Sequence, residues 1–403
     1  MWRCYLCDTV TGLIRAEIEV PSFSWSISVS DCSFDSTADK GTGEGESSGI
    51  TIPWAAIPAS TPEERGEYLS TGRRALCLCW EDEDDGSIMP IIFGAIGERT
   101  DTYLDTSFSL DSPMTLLGER YAVEEDAFGT GTYVDEGEED DDTDDETIYY
   151  VTTSSIYLSG LSFRAIAAYI GTLCTESKPG GTLPIDWQYT GESGGHERTY
   201  YGYNVSNISC SDIFTKLANV SGGPDMQFRP YMYDSTHVRL LFEAASDSDV
   251  YLGDSVHYLH DYNNLTVEHS APYHRVYQTG AGSEQAMLCY LAEDLTYCEL
   301  DDDPFPLKET TSSDTSDDSI EEVVSAATAK LESVRYPLCQ VTLETDVSEV
   351  DIGNVWPGEQ FMVPIYDFPT LPDGEYTMRL MEMSGSEGTT ISMTFDVMED
   401  PTY

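Results

Sequence analysis

Basic residues are scarce: 19 Lys and Arg stand against 74 Asp and Glu in 403 residues, a formal net charge of −55. A surface of that sign repels phosphates and anionic lipids, which excludes nucleic-acid binding through a basic patch. DNA can still lie close by without adhering. Long apolar runs are missing as well. Nowhere do about eighteen consecutive apolar residues occur, and residues 1–8 hold no apolar stretch of the kind a secretion signal needs, so neither a membrane span nor a signal is expected. With no secretory route, the ten cysteines, scattered along the chain, read as reduced thiols buried as small apolar side chains rather than as a disulfide framework.

What is present is enough apolar surface to fold. Hydrophobic residues make up 40% and Tyr alone contributes 26 side chains, which argues against global disorder. The length asks for about two to four compact units. Alternation marks strands near the start: Ile14, Ala16, Ile18 and Val20 share one face against Arg15, Glu17 and Glu19, and Phe23, Trp25, Ile27 and Val29 alternate with serines. Apolar runs over 75–80 and 88–96 flank a polar tip and predict an antiparallel hairpin. The period then changes. Phe163, Ile166, Tyr169, Ile170 and Leu173 fall at helical spacing behind Ser159 or Ser162, and a second helix is expected over 211–220, ended by Gly222, Gly223 and Pro224. A hairpin with Met226 and Phe228 on one arm and Val238, Leu240 and Phe242 on the other follows, and a third helix is expected over 320–334. Alternation returns in Tyr376, Met378 and Leu380 and in Ile391, Met393, Phe395 and Val397.

These signals describe a β-rich α+β multidomain protein, with a β-barrel at each end of the chain and a smaller α+β domain between them. The expected division is a β-barrel region over 1–125, an acidic solvated loop over 126–150, an α+β domain over 151–250, a β-rich connecting segment over 251–309, an acidic linker and helix over 310–336, and a second β-barrel domain over 337–403. Within the loop, ten of the twelve positions from 135 to 146 are acidic, and such a block cannot pack.

Motifs that could do chemistry fail on context. Gly191-Glu192-Ser193-Gly194-Gly195 and Gly45-Glu46-Ser47-Ser48-Gly49 fit a nucleophile elbow in pattern, but neither is set between a strand and a helix. A calcium loop starting at Glu81 would need a Glu where Ile92 stands. His257-x-x-His260 lacks the glutamate of a zinc protease. Cys4-x-x-Cys7 with Cys77-x-Cys79 could supply zinc ligands, yet positions 4 and 7 of a strand face opposite ways. No enzymatic activity and no catalytic, cofactor-binding or metal residue is therefore expected, and no cofactor.

Several ordered segments carry a resemblance. The opening Trp2-Arg3-Cys4-Tyr5-Leu6-Cys7-Asp8-Thr9-Val10-Thr11-Gly12 with Phe23-Ser24-Trp25-Ser26, then Gly195-His196-Glu197-Arg198-Thr199-Tyr200-Tyr201-Gly202-Tyr203, then Gly222-Gly223-Pro224-Asp225-Met226-Gln227-Phe228-Arg229-Pro230, then Thr279-Gly280-Ala281-Gly282, and near the end Leu371-Pro372-Asp373-Gly374-Glu375-Tyr376-Thr377-Met378-Arg379-Leu380, follow one another across most of the chain. Together they resemble the minor tail proteins, or tail hubs (baseplate hubs), of siphophages that infect actinobacteria. The resemblance implies a structural virion protein, assembled in the host cytoplasm and placed at the tail tip. It further implies a homotrimer whose tube-type barrels join the tail tube to the tip. Its implied partners are the distal tail protein, the tail tube, the tape measure protein and a tip or receptor-binding protein, with DNA passing through unbound. The scarcity of Arg departs from that family's pattern. An alternative reading from the same composition is a tail-tip adhesin for cell-wall glycans.

Overall fold

The computed structural model describes residues 1–29, 32–35, 50–82, 86–124, 131–135, 147–152, 154–249, 251–253, 256–283, 286–314, 319–336 and 338–397. The acidic block at 136–146 and the motif Gly45-Glu46-Ser47-Ser48-Gly49 lie outside them.

The protein is β-rich, with several sheets and few helices among the described residues. A six-stranded sheet built from the first part of the chain runs in the order Ile14–Ile18, Trp2–Asp8, Arg74–Glu81, Ile88–Asp101, Asp105–Asp111, Ile50–Pro53. Its central strands are buried on both faces, which is why Arg74–Glu81 reads as a near-continuous apolar run rather than an alternation. The period of two sends alternate side chains into two different cores. Cys4, Leu6, Leu76, Leu78 and Ile92 face one core with Val341, Val363 and Phe395, while Tyr5, Cys7, Cys77, Cys79 and Phe93 face another with Ile166, Phe214 and Phe242. This sheet is thus the middle of three layers.

On one side lies the eight-stranded sheet that holds the end of the chain: Val256–Tyr258, Gln360–Ile365, Gly374–Ser386, Thr390–Val397, Leu338–Asp346 and Asn263–Ser270 in that order, with Ser24–Ser28 paired to Gly374–Ser386 and Cys32–Asp35 paired in turn to Ser24–Ser28. The strand Ser24–Ser28 places Trp25 opposite Gly385 and Ile27 opposite Met383. This departs from the picture of two separate barrels. The two end sheets share one apolar core, and a strand from the first thirty residues is laid into the sheet of the last thirty. Alternation identified Ser24–Ser28 as a strand, but its partner lies about 350 residues away, beyond the reach of any local pattern.

On the other side lies the α+β layer. Helix Phe163–Cys174 is capped by Ser162, whose Oγ accepts from Ala165 N, and helix Cys210–Ala218 is capped by Ser209. They pack with the hairpin Met226–Asp234/His237–Ala244, where Phe228 stands opposite Phe242 as the spacing predicts. Helix Ile320–Val334 covers a small sheet of Arg275–Thr279, Cys289–Glu293 and Glu309–Ser313 through Val276, Ala292, Ala327 and Leu331. Ile320, the first residue of the helix, is exposed. Two short helices were not expected: Pro62–Tyr68, announced by a Thr61/Glu64 capping box, and Pro113–Gly118, capped by Ser112.

Candidate functional site

Two of the segments that carry the resemblance, and the strand that continues the opening one, converge where the α+β layer meets the sheet of the chain's end. Gly222, at φ +74°, ends the helix Cys210–Ala218 region with a left-handed turn, and the strand from Met226 starts directly after it. That turn delivers Asp225 to Arg379 of strand Gly374–Ser386, and the two side chains pair although 154 residues separate them. Two residues on, the buried Gln227 donates from Nε2 to the Ser28 carbonyl at 2.8 Å, which ties the same strand to the opening segment. Arg229 stands over the Trp356 ring at 5.5 Å and lies 3.6 Å from Glu359, whose other carboxylate oxygen meets His257 Nε2 at 2.7 Å.

The joint is desolvated and its charges nearly balance. Burial raises the Asp225 carboxyl above the usual range, and Arg379 offsets this only in part. Asp396, opposite Arg379 on the neighbouring strand, is raised for the same reason. Burial lowers Arg229, with Glu359 pulling the other way. Arg379 also lies 4.3 Å from the centre of the Tyr251 ring. Every side chain here is held by an ion pair, a ring or a hydrogen bond. Such an arrangement fixes two layers against each other; it offers no free base beside a nucleophile.

The other motifs are structural in their placement. The Glu192 carboxylate accepts from Ser162 Oγ at 2.7 Å and from Arg164 Nε and Nη2 at 2.6 Å each, and these bonds lower it to about 2. The turn around it clamps the start of helix Phe163–Cys174, and the exposed Ser193 is followed by strand His196–Tyr201 rather than by a helix. His196 stacks on Phe163 at 3.5 Å and meets Asp247 at 3.1 Å. His257 is engaged with Glu359, and His260 stacks on Tyr258. Cys4 and Cys7 do face opposite cores. Among the described residues no group of three or more His, Cys, Asp or Glu side chains could hold a metal ion. Sequence reasoning missed the joint because Asp225 and Arg379 stand out only once paired.

Two surface features complete the picture. The hairpin tip between Ile88–Asp101 and Asp105–Asp111 leaves Tyr103 fully exposed and Leu104 79% exposed, although its backbone is fixed by Trp54, which donates from Nε1 to the Thr102 carbonyl at 2.8 Å and from its backbone N to the Leu104 carbonyl at 3.1 Å. Among the described residues the strand Asn263–Ser270 is an eight-residue edge, paired by Leu338–Asp346 on one side, and it is mostly exposed.

No known protein-family profile and no curated protein matches the chain. Among solved structures it is similar to a tail protein from Neisseria meningitidis MC58, at 12% identity and a TM-score of 0.49, over 98% of this chain and 96% of that one. It is also similar to the 43 kDa tail protein of prophage MuSo2 from Shewanella oneidensis, at 11% identity and a TM-score of 0.49, over 98% of both chains. A third is the prophage tail protein gp18 from Listeria monocytogenes EGD-e, at 11% identity and a TM-score of 0.44, over 99% of this chain and 95% of that one.

Proposed function

We propose that the chain is a structural subunit of a phage tail, the hub that joins the tail tube to the tip apparatus, and that it works as a homotrimer without catalysing a reaction. The main support is the joint. Segments at 222–230 and 371–380, which resemble the tail hub family, and the opening segment that leads into Ser28 come together in one desolvated set of contacts that holds the layers in register. A part that passes force along a tail needs layers that do not slide. The long edge Asn263–Ser270 supplies unpaired backbone groups for a neighbouring subunit, and the fixed apolar tip Tyr103–Leu104 supplies side chains to bury in a partner such as the distal tail protein or the tube. The net charge of −55 suits a conduit that DNA traverses without sticking.

The mass of the full-length protein in solution, followed by its location in intact virions by cryo-electron microscopy, tests this reading. A trimer at the distal end of the tube is expected. A monomer bound to cell-wall glycan outside the tube would replace the hub with an adhesin.

A further inference from the structure

Strands Ser155–Leu161 and His196–Tyr201 pair as an antiparallel ribbon on the α+β layer, and the period of two divides their side chains between core and solvent. Ile156 and Leu158 enter the apolar core, and Tyr200 packs against it. Outward stand Ser155, Tyr157 and Ser159 on one strand, opposite Tyr201, Thr199 and Glu197 on the other. The chain then turns through Gly202, whose N donates to the Ser154 carbonyl at 2.8 Å, and Tyr203 comes to lie on Tyr201 with ring centres 5.2 Å apart and planes 21° from parallel. Asn207 Nδ2 donates to Asn204 Oδ1 at 2.7 Å and closes the next turn, so the backbone around Tyr203 is held while its side chain is 70% exposed.

Three phenol rings thus form a row on one solvent-facing surface. Tyr157 and Tyr201 are diagonal neighbours across the ribbon, about 7–8 Å apart at their Cα atoms, and Tyr203 extends the row past the end of the strand. The side chains among them are polar: Ser155, Ser159, Thr199 and Glu197 supply hydroxyl and carboxylate groups. Arg198, the cation of the same strand, turns inward and stands 5.2 Å from the centre of the Phe163 ring. No aliphatic side chain of either strand is exposed. Serine and glutamate are depleted from interfaces between proteins, where aromatic rings are accompanied by Met and Arg. Beside phenol rings they suit a ligand that is itself hydroxylated. A pyranose can lay its C–H face on the negative face of an aromatic ring and keep hydroxyls at its edge for neighbouring donors and acceptors. Anionic polymers are repelled by the net charge of −55.

We propose that Tyr157, Tyr201 and Tyr203 are a binding platform for a neutral oligosaccharide, whose sugar units stack along the row of rings while Ser155, Thr199 and Glu197 bond their hydroxyls. A row of rings suits a chain of sugars better than a single one, since one pyranose covers one ring. The cost of ordering is small, because backbone contacts already hold the ribbon and its turn and each Tyr has only two side-chain torsions to fix. The platform belongs to a different sheet from the edge Asn263–Ser270 and the tip Tyr103–Leu104, and it does not depend on the hub reading.

The test is isothermal titration calorimetry of the full-length protein with maltohexaose, cellohexaose and mannohexaose. Saturable binding of at least one of them is expected, with a dissociation constant of about 1 mM. Tyr157→Ala and Tyr203→Ala should each weaken it about tenfold, whereas Tyr203→Phe, which keeps the ring, should stay within about twofold of the wild type. Tyr366→Ala, at an exposed tyrosine outside the ribbon, should leave binding unchanged. Each substitution replaces an exposed side chain, so the melting temperature should match the wild type. No saturable heat with any of the three sugars up to about 20 mM would overturn the proposal, and so would binding that survives both alanine substitutions. A hexa-arginine peptide that binds at about 0.5 M sodium chloride and loses affinity in Tyr203→Ala, while the sugars do not bind, would overturn it in favour of a protein partner. The wild-type titration decides even if an alanine variant does not fold. Oligomeric mass is read separately: a trimer that binds no sugar removes the platform and leaves the hub, and a monomer that binds sugar does the reverse.

Discussion

Gly12 sits at φ +72°, and a Cβ there would lie 1.8 Å from the Val238 carbonyl oxygen. It turns the chain between Trp2–Asp8 and Ile14–Ile18 while its own carbonyl accepts from Val238 N at 2.9 Å, so one residue joins the middle sheet to the α+β layer. Gly12→Ala should cost about 2 kcal/mol or more in urea unfolding, both from left-handed strain and from the displaced carbonyl; a loss within about 0.5 kcal/mol would mean the two layers tolerate separation there. Glu192 makes a different kind of contribution. Its carboxyl falls from 4.5 to about 2 on folding, through Arg164 first and Ser162 after it. A depressed carboxyl stabilises the fold fully above the unfolded value and loses that stabilisation as pH falls through the folded one. Acid unfolding should therefore draw on this clamp between about pH 4.5 and about pH 2, and Glu192→Gln should flatten that part of the stability curve. At pH 7 the same substitution should cost about 1 kcal/mol, kept small because the pair is partly open to solvent.

The strands Met226–Asp234 and Gly374–Ser386 meet through Asp225 and Arg379, with Asp396 beside them. Removing the cation leaves two largely desolvated carboxylates with only the Leu252 amide and the Gln340 side chain to hold them, so Arg379→Met should cost about 3 kcal/mol at pH 7. The sign of the pH dependence follows from both carboxyls being raised by burial. Their penalty is absent when they are protonated and grows as pH rises through the folded values, so the variant should recover stability on acidification. A second substitution, Asp225→Asn, should recover part of the loss at pH 7; if a double-mutant cycle gives no coupling, the joint does not hold the layers. Local elements were readable in advance to very different degrees. Helices Phe163–Cys174, Cys210–Ala218 and Ile320–Val334 announce themselves because a 3.6-residue apolar period, joined in the first by a cap at Ser162, is a local signal, whereas the caps Ser209 and Ser319 emerge only in the structure. Arg74–Glu81 was legible as an apolar run, but its burial between two cores depends on what packs on each face. The Asp225–Arg379 pair was invisible because many carboxylates in the sequence look alike until one of them is buried.

The arrangement of layers was the least legible property of the whole molecule, since it rests on pairings such as Ser24–Ser28 with Gly374–Ser386 that no window of sequence contains. Its charge, by contrast, is entirely written in the composition. A net charge of −55 in 403 residues destabilises the compact state by self-repulsion, because folding draws together carboxylates that an expanded chain keeps apart. Salt acts on this repulsion and on the joint unequally. The screening length falls from about 30 Å at 0.01 M to about 3 Å at 1 M, so surface carboxylates stop repelling one another, while the buried Asp225–Arg379 pair is shielded from ions and changes little. Two opposing outcomes are thereby separated. If fold stability rested on exposed ion pairs, sodium chloride would lower the melting temperature; if self-repulsion dominates, it should raise it by about 5 °C or more between 0.01 and 1 M, with most of the gain complete by about 0.3 M as screening saturates. Sucrose, which strengthens apolar burial without screening charge, separates the two causes: its effect should be gradual and should add to that of salt. A melting temperature that stays flat or falls across the salt series would show that the excess carboxylates lie too far apart to repel in the folded state, and would remove the case for a conduit wall that holds DNA off by its charge.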